Sequence, residues 1–223
     1  MDDIIPLFPL SHVLVPGMAL PLHVFEPRYR QLLVDVSGGP RPASFGVVRL
    51  TKGAEVGTNC VNAEPEFASI GTIAEVLEVQ PYDDGASDLF TVGSRRFKIM
   101  ELVEGKPYLQ GRVEYLDEHD GKLPDGLAGA VLRLNDEHAR RVQELTGRIL
   151  DERPPREPNR LSYHLTTQLP LTPTDRQSLL EEPNAATRLM LLAVLLRREL
   201  ALLRATNTIA ISPDILQLYV RPN

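Results

Sequence analysis

The stretch Ile4–Arg30, IIPLFPLSHVLVPGMALPLHVFEPRYR, decides the fold of the first half of the chain. Its apolar runs are interrupted by Pro6, Pro9, Pro16 and Pro21. Proline lacks a backbone donor and fixes φ, so the pattern excludes a helix and limits strands to short pieces or sheet edges. This density of apolar residues predicts a strand that passes through the middle of a small barrel. The alternative is an apolar segment that only fills a core.

Further β patterns follow this stretch up to about residue 117. A short helix is expected at Tyr29–Val36, and Leu89–Val92 and Arg96–Met100 are interpreted as a hairpin that turns at Gly93-Ser94. The other predicted strands are Phe45–Leu50, Gly71–Gln80 and Leu109–Tyr115. Together these segments predict an antiparallel β-barrel over residues 1–117.

The pattern changes near Asp117, where a charged, Gly- and Pro-containing linker begins. Apolar residues then recur at helical spacing, and the expected N-caps are Thr174 for the DRQSLLE helix and Asn184 for the last long helix. A final helical turn is expected at Ile215–Val220. The predicted helices are Leu127–Leu150, Leu161–Gln168, the DRQSLLE segment and Ala185–Ala205. Residues 118–223 are therefore predicted to form a helical bundle, and the fold class is α+β.

Charge is distributed unevenly along the chain. Residues 1–117 contain 10 Lys or Arg and 16 Asp or Glu, a net charge of −6, whereas residues 118–223 contain 14 of each. Phosphate-backbone binding requires clustered positive charge, and the sequence has no Trp for base stacking. Nucleic acid is therefore not an expected partner, although an RNA-binding barrel is retained as the alternative function.

The sequence contains no recognised catalytic motif. Cys60 is the only cysteine, which excludes an intramolecular disulfide and a cysteine-rich zinc site. The five histidines lack metal-binding spacing, and neither Gly105-Lys106 nor Gly121-Lys122 belongs to a phosphate-binding loop. We therefore expect no catalytic residue, no metal and no cofactor. A hydrolase whose site combines distant residues is the less favoured alternative.

The N-terminus and the apolar runs indicate a cytoplasmic protein. Asp2 and Asp3 stand where a signal peptide has basic residues. The longest late apolar run, Leu189–Leu196, is much shorter than a membrane span.

Several ordered blocks resemble the N-terminal substrate-binding domain of Lon proteases. The first are PLFPL, VLVPG, LPL and FEPRYR, within Ile4–Arg30. Later blocks are Phe45–Val48, Gly71–Glu75, Val92–Phe97, Pro107–Leu109, Leu169–Leu171, Gln177–Glu181 and Arg188-Leu189. The resemblance implies a PUA-like barrel followed by helices, in a stand-alone bacterial form that lacks the ATPase and protease domains.

The same resemblance implies a function in binding. The expected ligands are unfolded or degron-bearing polypeptides, and the expected role is an adaptor or modulator in protein quality control. A protease or chaperone ATPase is a further expected partner. A β-domain can hold such chains by adding an edge strand or by capturing apolar side chains in a groove.

Seven residues are candidates for a peptide-binding groove. Phe25, Glu26, Arg28 and Tyr29 place two aromatic rings around an acid and a base at a strand-to-helix junction, where the charged pair suits the pinning of a backbone or a terminal carboxylate. The other candidates are Arg95, Arg96 and Tyr108. In the alternative interpretation, Glu26 and Arg28 pair with Arg95, Arg96 or backbone carbonyls, and Tyr108 is a ring at the edge of the core.

Overall fold

The structure is a computed structural model that describes residues 3–39, 42–52, 66–147 and 153–206. The chain folds into two compact units, Met1–Asp117 and Glu118–Asn223. We call them the barrel unit and the helical unit. The predicted turn at Ile215–Val220 lies outside the described residues.

The barrel unit consists of strands and one helix, α1 (Pro27–Ser37). The strands are β1 (Asp3–Leu10), β2 (Ala19–Val24), β3 (Ser44–Lys52), β4 (Glu66–Phe67), β5 (Ile70–Pro81), β6 (Ser87–Val103) and β7 (Gln110–Tyr115). Strands β1, β7, β6, β5 and β3 follow one another around a ring, and the pairing of β1 with β3 closes it. Strand β2 pairs with the first part of β6, and β4 pairs with the end of β3. The expected barrel is thus confirmed.

The closing pair differs from the all-antiparallel expectation, because β1 and β3 run parallel. Parallel neighbours need a long crossover connection, which β2 and α1 supply here. Strand β1 also changes partners along its length: Asp3–Pro6 pairs with β7, and Leu7–Leu10 pairs with β3. Each half of β1 therefore uses mainly one edge, which explains how it tolerates Pro6 and Pro9.

The predicted hairpin at Gly93-Ser94 is wrong. Strand β6 continues through this position as one strand of 17 residues. A Cβ atom at Gly93 would lie 2.3 Å from the carbonyl oxygen of Val15, so glycine is needed where the segment before β2 crosses close to β6. Gly93 thus marks a close backbone approach and not a turn.

Two buried clusters fill the barrel unit. Leu7 and Phe97 lie in the cluster between the closed strands. A Cβ atom at Gly71 would lie 2.7 Å from Cζ of Phe97, so small residues around the ring make room for this side chain. The second cluster packs the buried face of α1, formed by Tyr29, Leu32 and Val36, against the sheet.

The helical unit contains four helices among the described residues, as expected for the second half. They are α2 (Leu127–Thr146), α3 (Pro158–Gln168), α4 (Pro173–Glu181) and α5 (Ala185–Thr206). Asn184 Oδ1 accepts a hydrogen bond from the Thr187 backbone N–H at 3.0 Å, which confirms Asn184 as the cap of α5. The cap of α4 is Thr172 instead of Thr174, because Pro173 occupies the first helical position.

A fully buried guanidinium joins the helices of this unit. Arg188 on α5 donates from Nε to Ser162 Oγ at 2.9 Å and from Nη1 to the Glu182 carbonyl at 3.0 Å. Its Nη2 contacts Glu118 Oε2 at 3.1 Å, and the Tyr163 ring lies 4.2 Å from the guanidinium carbon. These contacts connect α5 to α3, to the segment between α4 and α5 that contains Glu182, and to the segment before α2 that contains Glu118. Arg188 thus joins three parts of the helical unit to α5.

Candidate functional site

An apolar groove lies where the end of β1, the end of β2 and the start of α1 meet. Its volume is about 130 Å³, similar to the cavity of about 150 Å³ that holds one benzene ring. It therefore has room for about one apolar side chain. The lining residues are Phe8, Pro9, Leu10, Leu22, His23, Phe25, Glu26 and Tyr29.

The groove exists because the chain turns sharply between β2 and α1. Pro27 occupies the first turn of α1 and holds Glu26 in extended geometry, with φ −69° and ψ 135°. Strand β2 ends at Val24, so Phe25 falls in the connection with 46% of its surface exposed. A large aromatic side chain is thus left at the opening of the groove.

The floor of the groove consists of stacked aromatic rings. Tyr29, the third residue of α1, is buried and stacks on Phe8 of β1 with 4.0 Å between the ring centres. Phe45 of β3 lies beneath Phe8, with their ring centres 5.7 Å apart. Because these rings also belong to the core, the floor is fixed by the fold before any ligand binds.

Beside the groove, the side chains of His23 and Tyr82 are joined through the carboxylate of Asp88. His23 lies next to Phe25, with 5.9 Å between ring centres. The Asp88 carboxylate is 2.6 Å from His23 Nδ1 and accepts a 2.6 Å hydrogen bond from the Tyr82 hydroxyl. His23 therefore lies between the rings of Phe25 and Tyr82, with 6.1 Å between the ring centres of His23 and Tyr82.

Glu26 and Arg28 pair with each other at the base of α1. Nε and Nη2 of Arg28 lie 3.0 Å and 2.9 Å from Oε2 of Glu26. The guanidinium of Arg28 also lies 4.5 Å from the centre of the Tyr29 ring. Four of the seven candidate residues are thus neighbours, and three of these, Phe25, Glu26 and Tyr29, line the groove itself.

Arg95 and Arg96 lie apart from this cluster, on β6. Arg95 is exposed, lies over the Tyr115 ring at 4.6 Å, and is 3.5 Å from the carboxylate of Asp117. Arg96 is buried, with only 1% of its surface exposed. Its carbonyl accepts a hydrogen bond from the backbone N–H of Leu116. Neither residue lines the groove.

Tyr108 contacts the C-terminal part of α1 through Asp35. Like Arg95 and Arg96, it does not line the groove. Its hydroxyl donates to Asp35 Oδ2 at 2.6 Å, and Lys106 Nζ contacts the same oxygen at 2.9 Å. These contacts, with a hydrogen bond from Gln31, lower the pKa of Asp35 to about 2. Burial and the hydrogen bond to Asp35 raise the pKa of Tyr108. Tyr108 therefore anchors α1, whose first residues form one wall of the groove.

Sequence analysis did not identify five of the lining residues: Phe8, Pro9, Leu10, Leu22 and His23. Phe8, Pro9 and Leu10 belong to the PLFPL block and Leu22 to the LPL block, whereas His23 lies between LPL and FEPRYR. Their juxtaposition depends on β1 and β2 ending at the same place, which the linear spacing does not reveal.

The described parts of the chain offer neither a metal-binding cluster nor a membrane-spanning helix. Within residues 3–39, 42–52, 66–147 and 153–206, no three His, Cys, Asp or Glu side chains are grouped closely enough to hold a metal ion. None of the described helices is long and apolar enough to cross a membrane. A charged crevice of about 450 Å³ lies between α2 and α5, where Glu137 and Arg204 form an ion pair.

A closed β-barrel unit followed in the chain by a helical unit defines the class of this protein as α+β. Comparison with known proteins identifies the family. The family model of the ATP-dependent protease La (LON) substrate-binding domain matches residues 4–198. The chain therefore belongs to this family, as the resemblance predicted.

Individual relatives agree with this assignment. The Lon protease of Cytophaga hutchinsonii is 26% identical over 216 residues, which cover 93% of this chain and 26% of that protein. The crystal structure of a Lon N-terminal domain protein from Xanthomonas campestris matches with a TM-score of 0.62 and 26% identity, covering 86% of this chain and 98% of that chain. The N-terminal domain of a Mycobacterium avium complex Lon protease, at 17% identity and a TM-score of 0.59, shares the fold over 87% of this chain and 98% of its own. The chain spans about a quarter of the length of the curated relatives it matches.

Proposed function

We propose that this chain captures unfolded or degron-bearing polypeptides in the bacterial cytoplasm, and that it works as an adaptor or modulator in protein quality control. In this proposal it performs no bond-breaking chemistry itself and delivers clients to a Lon-type protease or a chaperone ATPase. The observation that carries the proposal is the groove, in which an exposed Phe25 borders a fixed floor of stacked rings.

The pairing of β2 favours side-chain capture over addition of an edge strand. The Gly93 N–H donates to the Met18 carbonyl, so Met18 and Gly93 form a hydrogen-bonded pair. Along an antiparallel ladder, hydrogen-bonded pairs alternate with pairs that are not hydrogen-bonded. The backbone groups of Leu20 and Leu22 therefore point towards β6, and those of Pro21 point towards the other edge. Pro21 has no N–H that could donate to an added strand. Pro9 of β1, which lines the groove, also lacks an N–H.

The proposal is tested by measuring the affinity of an unfolded, Leu- and Phe-containing peptide for two matched variants. Phe25→Ala removes an exposed ring from the groove, and Phe90→Ala removes an equally exposed ring (46%) from the outer face of β6. We expect Phe25→Ala to weaken binding about tenfold, because it removes an aromatic anchor, and Phe90→Ala to change it less than about twofold.

The alternative outcomes decide against the proposal. An equal loss of affinity in both variants would indicate nonspecific binding to any exposed aromatic ring. An unchanged affinity in Phe25→Ala would show that the groove does not bind the peptide. Methylation of the peptide backbone nitrogens separates the two binding modes, since side-chain capture tolerates it and edge-strand addition does not.

A further inference from the structure

Glu26 occupies the N-cap position of α1 but does not cap the helix. The common caps are Ser, Thr, Asp and Asn, and the Glu26 side chain makes no capping hydrogen bond. It contacts Arg28 and lines the groove, and 17% of its side chain is exposed. The groove therefore contains a carboxylate that the helix N-terminus does not use.

Both contacts that Arg28 makes with this carboxylate go to one oxygen, Oε2. Within the described residues, Oε1 of Glu26 accepts no hydrogen bond. Because Glu26 lines the groove, a ligand in the groove can approach this second oxygen.

The surroundings of Glu26 favour a cationic donor. The neighbouring ring of Phe25 is half exposed, and aromatic π-faces attract ammonium and guanidinium groups. The barrel unit carries a net charge of −6, counted over residues 1–117, so its long-range field also attracts positive segments. A backbone N–H would satisfy Oε1 as well, but it would gain nothing from this charge.

We propose that the groove selects polypeptide segments in which a bulky apolar side chain is followed closely by a lysine or arginine. The apolar side chain fills the groove over Phe8 and Tyr29, and the basic side chain pairs with Oε1 of Glu26. This inference rests on the proposed function and adds to it the chemical class of the client. Glu26 is in this view the residue that determines specificity.

The test compares two peptides that differ in a single charge. Both are acetylated and amidated and carry the same leucine; one has lysine beside it, and the other has norleucine, which keeps the alkyl chain without the ammonium. We expect the lysine peptide to bind the native chain about fivefold more tightly at low salt. Raising the salt concentration should reduce this preference, because a partly exposed ion pair is screened.

Two variants test whether Glu26 is the source of the preference for the lysine peptide. Glu26→Gln keeps the size and an acceptor oxygen but removes the charge, and it should abolish the preference for lysine, so that the lysine and norleucine peptides bind this variant equally. Glu114→Gln makes the same change at an exposed position on β7 and should retain the preference. A thermal melt of each variant checks that the fold is intact, and the two-peptide comparison on the native chain does not depend on any variant.

Every other outcome counts against the inference. Equal affinity for both peptides, or an equal loss of preference in Glu26→Gln and Glu114→Gln, would overturn the selectivity for basic segments while leaving groove binding in place. If neither peptide bound, and Phe25→Ala changed nothing, the proposed function would fail together with it.

Discussion

At the scale of single residues, Arg188 is the centre of a buried polar network in the helical unit. Its side chain is fully buried, and its charge is compensated by Glu118 and by neutral hydrogen-bond acceptors. Removal of one member of a buried pair leaves the other without compensation, which typically costs about 3–5 kcal/mol. Since Glu118 keeps 32% of its side chain exposed, the cost here should lie at the lower end of that range.

Arg188→Met should therefore lower the free energy of unfolding by about 3 kcal/mol. Urea unfolding followed by circular dichroism measures this change. The matched control is Arg204→Met, which breaks the exposed ion pair with Glu137 and should cost less than about 1 kcal/mol. Similar losses in the two variants would show that the buried network contributes no more than a surface pair.

Residue identity alone did not predict this network. Arg188 was noticed as part of a motif, but nothing in the sequence distinguishes it from the exposed Arg197 and Arg198 on the same helix. Its burial follows from the packing of α5 against α3 and from the position of Glu118, which is 70 residues away in sequence. Long-range complementarity of this kind is not visible in local periodicity.

At the scale of elements, the sequence predicted strands and helices well where the pattern had a local cause. Asn184 was correctly predicted as the cap of α5. The three helices that begin at a proline, α1, α3 and α4, start two or three residues earlier than predicted, at Pro27, Pro158 and Pro173. The prediction failed at Gly93, where a glycine read as a turn serves a close approach between segments. Gly93 and a true turn glycine look alike in sequence, because both are places where a side chain does not fit.

Gly93→Ala tests this explanation of β6. The added Cβ would lie 2.3 Å from the Val15 carbonyl oxygen, so backbone must shift, and we expect a loss of about 2 kcal/mol or more in the free energy of unfolding. Gly38→Ala is the control, because its φ is −83° and its new Cβ would meet only ordinary contacts.

The control should be neutral or slightly stabilising, since alanine restricts the unfolded chain. If Gly93→Ala unfolded at the same urea concentration as Gly38→Ala, β6 would not be confined by the segment that crosses it.

The candidate site shows the same division between local and long-range information. The FEPRYR block identified Phe25, Glu26, Arg28 and Tyr29, which the structure brings together because they are adjacent in the chain. The more distant candidates Arg95, Arg96 and Tyr108 were grouped with them by motif, and the structure places them outside the groove lining. Register and strand length decided these positions, and neither quantity can be read from a single sequence.

At the scale of the whole molecule, we propose that residues 1–117 and 118–223 are separate domains. The two compact units are consistent with this, and each has a hydrophobic cluster of its own. If the proposal is correct, Arg188→Met should accelerate amide hydrogen exchange in α3 and α5 and leave the protection of β5 and β6 unchanged. A uniform loss of protection across both units would indicate a single cooperative domain.

The central claim is that the groove beside Phe25 is the surface that holds client polypeptides. The most direct test is to record the amide spectrum of the isotope-labelled chain while an acetylated, Leu- and Lys-containing peptide is added. We predict that the largest shifts fall in residues 8–10 and 22–29, with little change at Phe90 or along α5. Binding accompanied by its largest shifts on the outer face of β6 or in the helical unit would contradict the claim.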